Sequence, residues 1–241
     1  MHYKMNVFVG CCSLPLPLDE YAKEFPTIEI DRIFYSIPRV ATVKRWKSIA
    51  SNLIFNVKAY QGLTHPLSSP TYRRVKKPEG NADNFGHLKP TEENFMLWQK
   101  MLEIIDALDA YICLFQLPPS FIANEENINN AKRFFASIDK HSLLAIEFRH
   151  SSWTREKISL LIDEFGLIHA VDPFKDRSVS KDINYYRLHG LGSKPYRYKY
   201  TDSDLLKLKE VVSSNHKSFV MFNNVYMLDD ARRFMALYFN R

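Results

Sequence analysis

No apolar stretch of this chain approaches the eighteen or so consecutive residues that a membrane-spanning helix needs, so no span is expected. Cysteine is scarce. Cys11, Cys12 and Cys113 form neither an even framework nor a C-x-x-C pair, and neighbouring cysteines bridge only through a strained ring, so a reducing cytoplasm fits best. The start, Met1 to Asn6, lacks a charged region followed by a long apolar run, and no secretory signal is expected. No glycine-rich phosphate turn follows the first strand pattern, which disfavours an open dinucleotide-binding sheet. Internal repeats and low-complexity tracts are absent.

What is present is a chain of 241 residues, 46% hydrophobic and 14% aromatic. A chain of that size buries roughly 70 to 75% of its unfolded surface and needs no covalent staples. Its length suits a single barrel of alternating strands and helices, which runs to about 250 residues, so one domain over 1–241 is expected. The formal charge of +6 favours anionic partners by long-range attraction, although basic residues are often only a solvated surface.

Eight strand patterns can be counted: Asn6 to Gly10, Thr27 to Asp31, Leu53 to Lys58, Ala110 to Gln116, Leu143 to Arg149, Leu167 to Asp172, Tyr185 to His189 and Ser218 to Phe222. Helical spacing lies between most of them, as at Val43, Trp46, Ile49 and Ala50. Thr91, Asn124, Thr154 and Thr201 read as N-caps, and Gly166 as a left-handed C-terminal cap. A long insertion, about 60–90, follows strand three and is full of turn chemistry. Eight mostly apolar strands alternating with helices predict a parallel sheet closed on itself, an α/β protein of the (β/α)8 TIM-barrel class.

The strands begin apolar and end polar. Their C-terminal ends present Cys11 to Ser13, Glu29 with Asp31, Lys58, Gln116, Glu147 with Arg149 and His150, Asp172, Arg187 with His189, and Asn223 with Asn224. Barrel enzymes build their sites at that rim. Alternation puts residues two apart on one side of a strand, so Glu147 pairs with Arg149 and Arg187 with His189. Any single carboxylate–arginine pair there reads equally well as a structural salt bridge. Cys11 and Cys12 read as packing residues rather than nucleophiles, Cys113 as core, and His65 as a lid or a turn residue.

Two basic aromatic segments, Thr71 to Lys77 with Arg73 and Arg74, and Lys194 to Tyr200 with Arg197, should overhang the rim. Interleaved Arg/Lys and Tyr meets the needs of phosphate contact with base stacking, and equally those of a solvated loop pinned by tyrosines.

The strand ends carry a resemblance. Val9-Gly10-Cys11-Cys12, Ile28-Glu29-Ile30-Asp31 with Phe34-Tyr35, Phe55-Asn56-Val57-Lys58-Ala59, Thr64-His65-Pro66 and Phe115-Gln116-Leu117-Pro118-Pro119 lie in the first half. Ile146-Glu147-Phe148-Arg149-His150, Tyr186-Arg187-Leu188-His189-Gly190 and Phe222-Asn223-Asn224 follow. In this order the chain resembles the domain-of-unknown-function 72 family, also called YecE-like, a TIM-barrel family, and the insertion looks like that of its shorter archaeal-type branch. The family often opens with a Gly-Thr-Ser-Gly-Trp turn, whereas this chain has Gly10-Cys11-Cys12-Ser13 and no Trp there. The resemblance implies the fold and supplies no reaction.

Two functions compete at this level. In the first, an acid–base enzyme acts on a small or polymeric phosphate-bearing anion. Glu29 or Glu147 is its general acid or base and His189 the partner, with Asp172 completing the group. Lys58, Arg149 and Arg187 hold negative charge, and Gln116, Asn223, Asn224, Tyr35, His65, Arg73, Arg74 and Arg197 line the approach. No cofactor is expected; a divalent metal at Glu147, Asp172 and His189 is the weaker version, because three inward cations repel it. In the second, the basic loops bind nucleic acid or a nucleotide without catalysis.

Overall fold

In a computed structural model of the chain, which describes residues 6–73, 75–212 and 216–239, eight parallel strands close into a barrel in chain order. They are β1 (Val7–Cys12), β2 (Thr27–Ile30), β3 (Ile54–Lys58), β4 (Ile112–Gln116), β5 (Leu143–Glu147), β6 (Ile168–Val171), β7 (Ile183–Leu188) and β8 (Lys217–Phe222). β8 returns to pair with β1, Val7 against Ser218 through Cys11 against Phe222. The barrel thus leaves no open edge.

The helices are α1 (Leu18–Glu24), α2 (Val40–Ile49), the single turn α3 (Gln61–Thr64), α4 (Glu92–Leu108), α5 (Glu125–Ser137), α6 (Arg155–Phe165), α7 (Asp202–Val212) and α8 (Met227–Phe239). Their starts are set by side chains that satisfy a free backbone N–H: Thr91 accepts from Asn94, Asn124 from Asn127 and Thr154 from Lys157. Gly166 ends α6 at φ +62°, where a side chain would be strained.

One of the eight units differs from expectation. β6 and β7 are joined by residues 172–182 as a loop with no helix, a segment dense in Asp, Ser and Lys with no apolar stripe to bury. The connection from β3 to α4 is long, as expected, but carries its own order. Gly86 and Leu88 donate backbone bonds of 2.7 and 2.9 Å to Gly62 and Leu63, folding the insertion back on α3.

Strand alternation divides the core in two. Ile112, Leu114, Ala145, Ile168, Ala170, Tyr185, Phe219 and Met221 fill the barrel with Cys12. Residues of the other parity, such as Val9, Ile28, Val57, Phe115, Ile146 and Phe222, pack beneath the helices. Adjacent cysteines therefore face opposite ways: Cys12 enters the barrel, whereas the Cys11 thiol lies 3.6 Å from the Met227 carbonyl oxygen of α8. Burial pushes Cys11 up to about 12 and Cys12 well above its ordinary value. Both remain protonated thiols that pack, as their lack of a neighbouring base implies.

Candidate functional site at the C-terminal rim

The inward parity that fills the barrel continues to its top. Cys12 stands opposite Glu29, Glu29 opposite Asn56, Lys58 opposite Leu114, Gln116 opposite Glu147, and Arg187 opposite Met221. Apolar side chains below and polar ones above thus belong to one face of the sheet. The strand ends bring Glu29, Lys58, Gln116, Glu147, Arg149, Arg187 and His189 into one group.

Arg187 is its centre and is fully buried. Its Nε and NH2 donate to the two Glu29 oxygens at 3.0 and 2.7 Å, and its NH1 donates to Glu147 Oε2 at 2.6 Å. Tyr185 from the same strand donates its hydroxyl to Glu29 Oε2 at 2.8 Å. Arg149 takes the other Glu147 oxygen at 2.6 Å. Burial alone would raise the Glu147 pKa, but the Arg187 and Arg149 guanidiniums with His189 hold it at about 2. A carboxylate so engaged fixes arginines and is poorly placed to exchange a proton.

His189 is set by the same arginines. Its Nε2 receives Arg149 NH2 at 2.8 Å and Arg187 NH1 at 3.4 Å. Its Nδ1 lies 3.8 Å from Asp172 Oδ2, longer than a hydrogen bond. Both of those atoms are buried without a hydrogen-bond partner. Burial lowers the His189 pKa, Asp172 and Glu147 opposing and the two arginines adding to the effect. The neutral ring stands edge-on to Tyr196, 5.6 Å away.

One neutral oxygen receives three cationic donors. Gln116 Oε1 accepts from Lys58 Nζ at 3.1 Å, Arg187 NH1 at 3.2 Å and Arg149 NH2 at 3.4 Å. A carbonyl oxygen has two lone pairs, so the bonds are shared and long. Donor capacity remains unspent: Arg149 Nε is buried without a partner, and Lys58 uses one N–H on Gln116 while its ammonium lies over the Phe34 ring at 3.9 Å. Burial and the Arg187 charge lower Lys58 to about 8.

The remaining candidates are spread more widely. Asp172 ends β6 beside His189, its Oδ1 accepting from Phe174 N at 3.1 Å. His65 is buried beside Phe34 and bonded to Thr64 Oγ1 at 2.8 Å, and burial with the Lys58 charge pushes it down to about 3. Tyr35 is exposed just outside the group. Arg73 and Arg197 are exposed, and Arg74 lies outside the described residues. Asn224 turns from the rim, donating to Tyr198 O at 2.6 Å and Asp230 Oδ2 at 2.8 Å, a brace for the loop after β7. Asn223 is half-buried, its backbone N–H bonded to Leu188 O at 2.8 Å. That loop turns at Gly190, φ +94°, where a Cβ would collide with the Pro195 carbonyl. Ser13 and Asp31, which also follow strand ends at the rim, had no role assigned from the sequence; Asp31 lies two residues past inward-facing Glu29, and Ser13 two past Cys11, which faces the helices.

A cleft of about 450 Å³ opens beside this group, lined by Glu147, Arg149, His150, Asp172, Lys175 and His189. A larger groove of about 920 Å³ lies between the β2–α2 connection and the insertion and touches the rim only at Tyr35. Among the described residues no group of three or more His, Cys, Asp and Glu stands ready to hold a metal ion. The set considered for one does not fit: Glu147 gives both oxygens to guanidiniums, and the His189 Nε2 lone pair faces Arg149. No helix among the described residues is long and apolar enough to cross a membrane.

The family described as "Protein of unknown function DUF72" matches residues 12–239. "UPF0759 protein YunF" of Bacillus subtilis (strain 168) is 26% identical over 246 residues, covering 86% of this chain and 80% of that protein. Among solved structures, a DUF72 family protein of Enterococcus faecalis V583 aligns with a TM-score of 0.77 at 20% identity, covering 98% of each chain. A DUF72 family protein of Thermotoga maritima MSB8 aligns with a TM-score of 0.69 at 23% identity, covering 96% of this chain and 98% of that one. At these identities the two structures bear on the fold.

Proposed function

The chain belongs to the DUF72 family, and from that premise we propose that its rim is the site of an acid–base enzyme for a phosphate-bearing anion. The observation that carries the reading is the convergence of Lys58, Arg149 and Arg187 on Gln116 Oε1. Two buried cations and the part-buried Arg149 are expensive to hold around a neutral oxygen, and an anion supplies the charge that this oxygen lacks. Glu29 and Glu147 offset part of the positive charge and orient the arginines. Proton transfer falls to His189. An oxyanion that draws the arginine N–H groups frees the Nε2 lone pair to accept a proton, while Asp172 stands near Nδ1 to stabilise the charge that forms. The three unpaired cysteines accord with a cytoplasmic setting.

A thermal-shift titration at low salt tests the reading: inorganic phosphate raises the melting temperature, and Lys58→Met removes most of the rise. Absence of any shift with phosphate or its esters contradicts it.

Exposed Tyr196, Arg197 and Lys194 favour a second reading, a nucleotide or nucleic-acid binder whose basic loops contact phosphates. Its sign is a steep fall of oligonucleotide affinity with salt, with no turnover of small esters.

A further inference from the structure

Three polar atoms along one wall of the rim have nothing to bond. Arg149 Nε, His189 Nδ1 and Asp172 Oδ2 are each buried without a hydrogen-bond partner among the described residues. All three residues line the same cleft of about 450 Å³ at the ends of β5 and β6. A buried donor or acceptor left unmade destabilises the fold, and a bound group of matching chemistry removes that cost.

Two of these atoms form a gap of defined polarity. His189 Nε2 accepts from Arg149 NH2 at 2.8 Å, so the ring proton sits on Nδ1. Nδ1–H is thus a donor without an acceptor, and Asp172 Oδ2, 3.8 Å away, is an acceptor without a donor. The carboxylate is held by its other oxygen, which accepts from Phe174 N at 3.1 Å. Lys175 Nζ comes within 3.5 Å of Oδ2 without a hydrogen bond, from a side chain 54% exposed, and such a pair contributes little.

The polarity of the gap selects its occupant. An anion is repelled by Asp172, an ammonium has no lone pair for Nδ1–H, and a carbonyl has no proton for Oδ2. A hydroxyl has both: about 2.8 Å from each atom, it accepts from Nδ1 and donates to Oδ2 across the 3.8 Å gap. Arg149 joins the gap to the three cations, because its NH2 also donates to Gln116 Oε1 at 3.4 Å. Phe148, Trp153 and Ile158 give the cleft an apolar wall that suits a carbon chain. We infer that Asp172 and His189 form a hydroxyl-binding notch, entered from the cleft as Lys175 swings aside, and that the ligand is a polyol phosphate rather than a bare anion. This rests on the anion reading above and narrows its substrate class.

Calorimetric titration of the full chain with propyl phosphate and glycerol 3-phosphate, which share their carbon chain and differ in hydroxyls, tests the inference. Glycerol 3-phosphate binds about tenfold tighter, the value of one well-placed hydrogen bond. Asp172→Asn keeps an oxygen for the Phe174 N–H but puts an NH2 where Oδ2 stood, so the hydroxyl proton loses its acceptor and the ratio falls close to one. A merely structural aspartate would weaken both esters alike and leave the ratio unmoved. Lys175→Met, which removes the competing ammonium, keeps the ratio at tenfold or above. Equal binding of the two esters to the wild type, a preference that survives Asp172→Asn, or one that disappears in Lys175→Met overturns the notch alone. Failure of both esters to bind overturns the anion reading, and the notch with it.

Discussion

Arg149 donates a hydrogen bond of 2.8 Å from NH2 to His189 Nε2. A guanidinium can only donate, so the imidazole is neutral with its proton on Nδ1, directed toward Asp172. Nitrogen NMR of the labelled protein therefore finds His189 as the Nδ1–H tautomer, with its titration shifted below the ordinary histidine range. A ligand-free His189 that carries its neutral-form proton on Nε2, or that titrates above the ordinary range, would contradict this arrangement.

Glu147→Gln separates a charge-holding role from a proton-transferring one. The amide keeps the shape but leaves Arg149 and Arg187 short of one negative charge, and breaking a buried pair costs about 3 to 5 kcal/mol. Urea unfolding reads that loss. Phosphate affinity is retained or increases, since a competing negative charge has gone. Normal stability together with abolished phosphate binding would assign Glu147 to the ligand instead.

Acid sensitivity has two windows. His65 and His169 have folded pKa values of about 3 and 4 because burial disfavours their charged forms. The unfolded chain therefore binds protons first as pH falls below about 6.5, and stability is lost through that range. Each group contributes about 1.4 kcal/mol per pH unit, so roughly 3 kcal/mol disappears between pH 6.5 and 5. Glu147 behaves as a depressed carboxylate: its contribution is full above 4.5 and is lost as pH falls from there through about 2. Urea midpoints at pH 7.5, 6 and 5 check the first window, and a flat series refutes it.

Arg73→Ala and Arg197→Ala should change stability by less than about 0.5 kcal/mol, as both residues are exposed. Inorganic phosphate binding stays as in wild type. If oligonucleotides bind at all, each substitution lowers the slope of log affinity against log salt by about one. A large loss of phosphate affinity in either variant would move the anion site out to the loops.

Much of this barrel was legible because period-two strands and helix caps are local signals. Thr91, Asn124, Thr154 and Gly166 act through residues within four positions of themselves. The same parity rule brought Glu147 with Arg149 and Arg187 with His189 to the interior end. What it could not reach was pairing across the barrel: Arg187 meets Glu29 158 residues away, and only closure of eight strands makes them neighbours. Asn224 looked like a rim residue, yet two residues beyond the end of β8 it turns to Asp230 of α8. The missing helix after β6 escaped for a similar reason, since a polar loop is read only through what it faces.

The convergence of three cations on Gln116 Oε1 is tested most directly by Gln116→Glu, which places a fixed negative charge where the ligand's charge is proposed to sit. Calorimetric titration with inorganic phosphate should show binding in wild type and none in the variant, while the variant unfolds at higher urea because its cations are now paired. Phosphate binding of wild-type strength in Gln116→Glu would contradict the account.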